Sequence, residues 1–372
     1  MIFLDNAATT KPSELAINTF DMVSRDYWDN PSSTMREPGM AAKRLLTESR
    51  SIIAKWLDCD PDNIFFTSGA TEAANWVIKG FDNNSRFRSV ILDPMSHPCM
   101  YSSCHRISWH KDLEYLTVND GVIDINVLDY LLDEFSDDYT YTIVCINYVN
   151  NETGIAQNML EISDVVHRYP NCFLVLDVTQ ALGHSLNIEK SILGYDFCFG
   201  SAHKFCGLKG VGFLCADTGI NVKSLLHGGH QESGHRAGTE NVAGIYSMAK
   251  QFDYVRSHIV ESYRKEQDLY NYLVSNLPDF CHVNYQGVPS IISMRVDGMS
   301  GQDVVSKLAL QDIYISAGSA CSTGEDKPSR VLIESGLSEN AARETVRVSL
   351  TSDNRKDELD AFLTALRYIK GG

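Results

Sequence analysis

Positive charge is what this chain lacks most. Its 372 residues carry 32 lysines and arginines against 48 aspartates and glutamates, for a formal net charge of −16. That deficit argues against a basic face that binds nucleic acid non-specifically, and it favours solubility. No apolar run approaches the ~20 residues that a membrane-spanning helix needs. The opening residues, Met1-Ile2-Phe3-Leu4-Asp5-Asn6, lack the basic region and cleavage site of a signal peptide. A cytoplasmic protein is expected, with no direct nucleic-acid or membrane partner. Ten cysteines occur at irregular spacings without a CxxC pair. Most therefore read as reduced, small core residues rather than as a disulfide framework. Cys99, Cys104 and His105 lie near one another, but no complete ligand set follows at zinc spacing, and no metal is expected. Internal repeats and low-complexity segments are also missing.

What remains is an ordinary globular composition, 44% hydrophobic and 22% charged. The length predicts two domains. Short β-rich runs at Asn63–Thr67, Ser89–Leu92, Tyr141–Asn147, Cys172–Asp177, Tyr195–Phe199 and Val211–Cys215 are apolar nearly throughout, as in strands buried on both faces. Between them Thr71–Lys79, Pro98–Trp109, Ile123–Phe135 and Met159–Arg168 read as helices. This alternation predicts an α/β domain around a mostly parallel sheet. A long helical stretch, Asn241 to Leu277, leads away from it. Strands at Ser290–Val296, Ile313–Ile315 and Thr345–Leu350, with helices at Gly301–Leu310 and Arg355–Ile369, predict a smaller α+β domain. The division expected is residues 12–250 for the large domain, with 1–11 and 251–372 for the small one.

Four constellations fall at strand ends, where open α/β sheets bind ligands. Gly200-Ser201-Ala202-His203-Lys204-Phe205-Cys206 follows an apolar strand. A lysine there suits an amine that must form a Schiff base, and the Ser and His beside it can hold a phosphate. Together these suit pyridoxal 5'-phosphate (PLP). Thr67-Ser68-Gly69-Ala70-Thr71-Glu72 turns from a strand into a helix, and its backbone N–H groups with the Thr71 hydroxyl form either an anion site or a plain helix cap. Asp177, ending an apolar strand, either starts a helix or meets a cation such as a protonated pyridine, with Gln180 placed to bond a phenolic oxygen. Ser316-Ala317-Gly318-Ser319-Ala320-Cys321-Ser322-Thr323-Gly324 sets one cysteine in a small, polar, glycine-containing loop, the context of a reactive thiol. Cys99, Cys145, Cys172, Cys198 and Cys215 lie in or beside apolar runs and are assigned to packing.

In order, these motifs resemble the cysteine desulfurase family, NifS/IscS-like, within the class V aminotransferase group of fold-type I PLP enzymes. The resemblance runs from Leu4-Asp5-Asn6-Ala7-Ala8-Thr9-Thr10 through Val149-Asn150-Asn151-Glu152-Thr153-Gly154 and the Ser-Ala-His-Lys motif. It continues through Gly228-Gly229-His230-Gln231-Glu232 and Arg236-Ala237-Gly238-Thr239 to Val346-Arg347-Val348-Ser349-Leu350. It implies that Lys204 holds PLP, that Asp177 and Gln180 contact its ring, and that Ala70, Thr71, Ser201 and His203 bind its phosphate. His97 would stack on the ring and shuttle protons. Asn6, Asn151 and Arg347 would hold the substrate carboxylate, with Asn151 also beside the cofactor. Thr239 would reach the neighbouring active site of a homodimer.

The activity implied is conversion of L-cysteine to L-alanine. Sulfur would pass to Cys321 as a persulfide, then to an acceptor protein for iron–sulfur cluster assembly or nucleic-acid thiolation. The alternatives are a sulfur donor dedicated to DNA phosphorothioation, or a PLP-dependent lyase or aminotransferase acting on another amino acid. Two departures stand out. Little chain follows the last predicted helix, where some relatives carry a tail that docks an iron–sulfur scaffold. Cys206 occupies a position where relatives often carry an aromatic residue or glycine, and it is read as packing.

Overall fold

The computed structural model describes residues 1–108, 111–216, 222–318 and 328–371. Cys321 lies outside them, as does Trp109 at the end of one predicted helix. A seven-stranded sheet dominates, in the order Ile64–Thr67, Gly212–Ala216, Phe197–Ser201, Cys172–Asp177, Tyr141–Asn147, Phe87–Leu92, Asp112–Tyr115. The last five strands of that order run parallel, and Gly212–Ala216 runs antiparallel to both its neighbours. This is the α/β architecture around a mostly parallel sheet that the sequence predicts.

The strand side chains alternate between two cores, as a period of two requires. Val144, Ile146, Leu174, Leu176, Cys198 and Cys215 face one way, toward the helices Glu37–Leu57 and Val242–Ser257. Ile143, Cys145, Val175, Phe197 and Phe199 face the other, toward the helix Ala70–Asp82. Cys99, Cys145, Cys172, Cys198 and Cys215 are all buried. A third core forms around a four-stranded antiparallel sheet ordered Cys281–Val283, Ile291–Val296, Thr345–Ser349, Ser316–Ala317. Leu4 from the start of the chain and Leu269 and Leu273 from the helix Ile259–Ser275 join this core.

Several elements differ from expectation, each for a local reason. The stretch Asn241–Leu277 is two helices, Val242–Ser257 and Ile259–Ser275, broken at His258 (φ −112°, ψ 7°). The helix that starts at Pro98 ends at Cys104, where the His105 N–H bonds back to the Tyr101 carbonyl. The strand predicted to end at Phe199 runs on to Ser201, because Gly212 pairs with Ser201 across the ladder. Two helices absent from the sequence reading, Glu14–Asp26 and Glu37–Leu57, pack on Val242–Ser257. Ser13 caps the first by accepting the Ala16 N–H.

A buried pair joins the large sheet's side to the helix Ile259–Ser275. His184 Nδ1 lies 3.1 and 3.2 Å from the two Glu266 oxygens, and both residues are buried. Burial pulls the imidazole pKa down, but the Glu266 charge and its hydrogen bond overcome this and raise it. A raised histidine stabilises the fold below its unfolded pKa, and that contribution fades as pH rises through the raised value. Breaking such a pair costs roughly 3–5 kcal/mol. Glu266→Gln is therefore expected to lower urea-measured stability by about 3 kcal/mol below the ordinary histidine pKa, and by less as pH rises. An unchanged midpoint would show that the pair contributes nothing.

Candidate active site

The site lies at the carboxyl ends of the central strands. Lys204 follows the strand Phe197–Ser201 in a single 3₁₀ turn, Ala202–Lys204. Its Nζ donates to the carbonyls of Ala7 (2.5 Å) and Ala8 (2.8 Å). Burial, then the nearby Arg347 guanidinium, push its pKa down to about 8, although Asp177 and Asp5 pull it the other way. Lys204 thus holds a substantial neutral fraction near neutral pH, the form that attacks a carbonyl carbon.

Asp177 ends its strand with 4% exposure, and its Oδ1 accepts the Thr179 N–H at 2.9 Å. Gln180 is tied down by an Nε2 bond of 2.9 Å to the same Ala7 carbonyl that Lys204 uses. His203 Nδ1 meets Thr9 Oγ1 at 3.1 Å, while burial and then the Lys204 and Lys209 charges depress its pKa to about 4. His203 is therefore neutral at physiological pH.

The phosphate-type turn is built as the sequence suggests. Gly69 takes φ +152° before the helix Ala70–Asp82, and a Cβ there would come within 3.3 Å of Ser201 Oγ. Glycine at 69 is what lets the turn lie against Ser201. Thr71 is exposed in the first turn of that helix, where its backbone N–H has no intrahelical acceptor.

His97 caps the helix Pro98–Cys104, its Nδ1 accepting the Cys99 N–H at 3.2 Å. That bond makes Nδ1 the acceptor, so the neutral ring carries its proton on Nε2. The residue is open to solvent, yet the surrounding protein desolvates the ring and lowers its pKa despite the Asp177 charge. Fully buried Asp93 braces the preceding turn, accepting the N–H groups of Met95 (2.8 Å) and Asn147 (3.3 Å). Burial raises the Asp93 pKa to about 6, against those two bonds.

Arg347 projects from the small sheet's strand Thr345–Ser349. Nη2 meets Asp5 Oδ1 at 2.7 Å and Nη1 donates to the Asn151 carbonyl at 2.8 Å. Three buried polar atoms here have no partner among the described residues: Arg347 Nε, Asn151 Oδ1 and Thr179 Oγ1. Unpaired buried groups are costly, and a ligand that satisfies them offsets that cost. A carboxylate suits the first. The donor set as a whole fits PLP: an amine for the aldehyde, a strand-end carboxylate for the ring nitrogen, and hydroxyls with a helix start for phosphate.

Two sequence-derived residues make no direct bond to the side chains of this cluster among the described contacts. Asn6 is spent on structure, its Nδ2 bonding the Ser349 carbonyl (2.9 Å) and Asn354 Oδ1 (3.3 Å). Thr239 is exposed in the segment before the helix Val242–Ser257. Other contributors emerge only from the coordinates. Asp5 anchors Arg347, Thr9 orients His203, and the Ala7 and Ala8 carbonyls receive the lysine. Glu152 Oε2, 2.6 Å from Ser329 Oγ, ties the Asn151 turn to the chain after residue 327. The backbone of Cys206 has a role of its own. It adopts φ +60°, a left-handed conformation that glycine takes freely, with its N–H donated to Thr10 Oγ1 at 2.7 Å.

Comparison with known proteins agrees with this geometry. The family model described as "Aminotransferase class-V" matches residues 2–362. A Nostoc protein named "Cysteine desulfurase" is 32% identical over 380 residues, covering 99% of this chain and 92% of that protein. A solved "NIFS-LIKE PROTEIN" superposes with a TM-score of 0.91 at 28% identity, covering 100% of this chain and 99% of that one. A structure titled "SspA in complex with cysteine" gives a TM-score of 0.81 at 26% identity, covering 94% of this chain and 99% of that one. The chain thus belongs to the class V aminotransferase family of PLP-dependent enzymes, among its NifS/IscS-like members.

Proposed function

We propose that the protein is a cysteine desulfurase that converts L-cysteine to L-alanine and passes the sulfur to Cys321 as a persulfide. The observation that carries this reading is the meeting of Lys204, Asp177 and Arg347. Lys204 lies within reach of both charges, its Nζ bonded to Ala7 while Arg347 holds the nearby Asp5, although the three come from two different sheets. An amine, a ring-facing carboxylate and a carboxylate-binding fork are what an α-amino acid needs when it reacts on PLP. The names of the relatives, and the cysteine bound to one of them, favour cysteine as the substrate.

Bound PLP supplies an electron sink beside the substrate's α-carbon. Lys204 holds the cofactor and, once displaced, takes the α-proton on Nζ. Asp177 would keep the pyridine nitrogen protonated, and Gln180 would bond the phenolic oxygen. Ala70, Thr71, Ser201 and neutral His203 would hold the phosphate, and Thr239 would complete that site from the second subunit of a homodimer. Arg347 would grip the substrate carboxylate with Asn151 beside it, and His97 would present its Nε2–H as a hydrogen-bond donor. The Cys321 thiolate attacks the substrate sulfur. The carbon–sulfur bond breaks, a sulfur–sulfur bond forms, and protonation at carbon yields alanine. The persulfide then moves to an acceptor protein in the cytoplasm, for iron–sulfur cluster assembly or nucleic-acid thiolation.

The direct test incubates PLP-loaded protein with L-cysteine and measures alanine together with protein-bound persulfide. Equal yields of the two in a single turnover support the reading, and bound PLP with no alanine would overturn it. Arg347 provides a sharper check. Its planar fork uses geometry that an ammonium lacks. Arg347→Lys is expected to lower kcat/KM for L-cysteine by about 10²-fold, mainly through KM. An unchanged KM would remove Arg347 from carboxylate binding.

A further inference from the structure

A second group of thiols lies away from this site, on the face of the sheet covered by the helix Glu37–Leu57. Cys215 and Cys198 sit opposite each other on adjacent antiparallel strands, and both are fully buried. Cys59 follows the end of the helix, where Asp58 turns the chain with φ +57°. The Tyr195 hydroxyl donates to the Leu57 carbonyl at 3.0 Å and holds that helix end over the strands. Cys59 Sγ then lies 3.6 Å from Cys215 Sγ, and Cys59 is partly exposed whereas Cys215 is not.

This arrangement divides two roles. An oxidant from solvent reaches partly exposed Cys59 before buried Cys215, whose sulfur lies directly behind it. Disulfide formation brings the sulfurs to about 2.05 Å, so side-chain movement of roughly 1.5 Å closes the gap. A thiol accessible at the surface with a second thiol beside it is the geometry of an oxidation-sensing pair.

We propose that Cys59 and Cys215 form a hydroperoxide-oxidisable dithiol, a modification site separate from desulfuration. Cys59 takes one oxygen from hydrogen peroxide to become a sulfenic acid, releasing one water. The Cys215 sulfur displaces that oxygen as a second water and forms the disulfide. Two thiols are oxidised and one peroxide is reduced. The cross-link staples the helix Glu37–Leu57 to the strand Gly212–Ala216, which lies between the strands leading to the Gly69 turn and to Lys204. Spanning 156 residues, it restricts the unfolded chain strongly.

The test exposes the PLP-loaded protein to hydrogen peroxide, blocks remaining thiols under denaturing conditions and maps peptides without reduction. The expected result is a Cys59–Cys215 linked peptide, Cys198 still blocked as a thiol, and a Tm higher by roughly 5 °C that returns to its starting value with dithiothreitol. In Cys215→Ser, Cys59 is expected to proceed to sulfinic acid because its resolving partner is gone. In Cys59→Ser, Cys215 should stay a thiol. Wild-type Cys59 and Cys215 remaining thiols while Cys321 is oxidised would overturn the proposal. So would Cys59 linked to any other cysteine, or Cys59 going to sulfinic acid in the wild type. Mapping each cysteine separately keeps the outcome independent of the desulfurase reading.

Discussion

Lys204→Ala is expected to lower alanine formation from L-cysteine on the order of 10⁴-fold and to remove the visible absorption of covalently held PLP. Two functions disappear together. The covalent attachment of the cofactor needs the amine, and so does the base that takes the α-proton. Nothing adjacent substitutes. His203 is bound to Thr9 and held neutral, and His97 is fixed with Nδ1 as a backbone acceptor. Residual turnover within tenfold of wild type would place the base elsewhere. The same amine gives a pH signature in cofactor-free protein. Its pKa lies near 8, and only the neutral form attacks an aldehyde. Capture of added PLP should therefore quicken about tenfold per pH unit below that value and level off above it. A capture rate flat across the acid side would contradict the placement of the amine between the Ala7 and Ala8 carbonyls.

Cys321→Ala is expected to leave PLP binding intact, to abolish protein-bound persulfide and to cut alanine formation by at least about 10³-fold. The physical reason is a division of labour. The cofactor withdraws electrons from the carbon skeleton, but a separate nucleophile must accept the sulfur. The described cysteines give no substitute. Burial raises the pKa of Cys206, and it raises that of Cys99 beyond any useful range, so neither supplies thiolate near neutral pH. An unchanged cofactor spectrum would separate this loss from a folding defect. Normal alanine yield in the variant would assign sulfur acceptance to another group, such as added thiol.

Much of the large sheet was legible because its strands are buried on both faces and read as unbroken apolar runs. The runs at Tyr141–Asn147 and Cys172–Asp177 match the observed strands end to end. The edge strand Asp112–Tyr115 escaped notice because it is short, acidic and half-exposed, its polar–apolar alternation running for only four residues. The helix Glu37–Leu57 has no side-chain cap, and its apolar positions are interspersed with Lys, Arg, Thr and Glu. Its buried positions Gly39, Ala42, Leu46, Ser49, Ile53 and Leu57 do recur every three or four residues, but small and polar residues dilute that period, and packing against the distant Val242–Ser257 completes the helix. The same distinction holds at the site. Lys204, Asp177 and the Gly69 turn carry their own local signatures. The roles of the Ala7 and Ala8 carbonyls do not, because a backbone carbonyl has no side-chain identity to read. Asp5 was visible only as part of the Leu4–Thr10 motif, and its pairing with Arg347 appears only once the two ends of the chain are brought together.

That pairing bears on how the protein is made. Asp5 and Arg347 are 342 residues apart, and Ala7 is held by Ser349 at the same separation. During translation Asp5 and Ala7 emerge first, but their small-sheet partners Arg347 and Ser349 are synthesised almost last. At the elongation rates of living cells, roughly 5–20 residues per second, the wait is on the order of half a minute. Lys204 is already available in that interval and can meet the Ala7 and Ala8 carbonyls, while the arginine that tunes it is not yet made. Thr9 and Thr10 can likewise meet His203 and Cys206 early, but Asp5 and the Ala7 N–H lack their partners until the strand Thr345–Ser349 docks. An incomplete nascent chain can expose a lysine, but it cannot assemble the pocket that makes this lysine reactive.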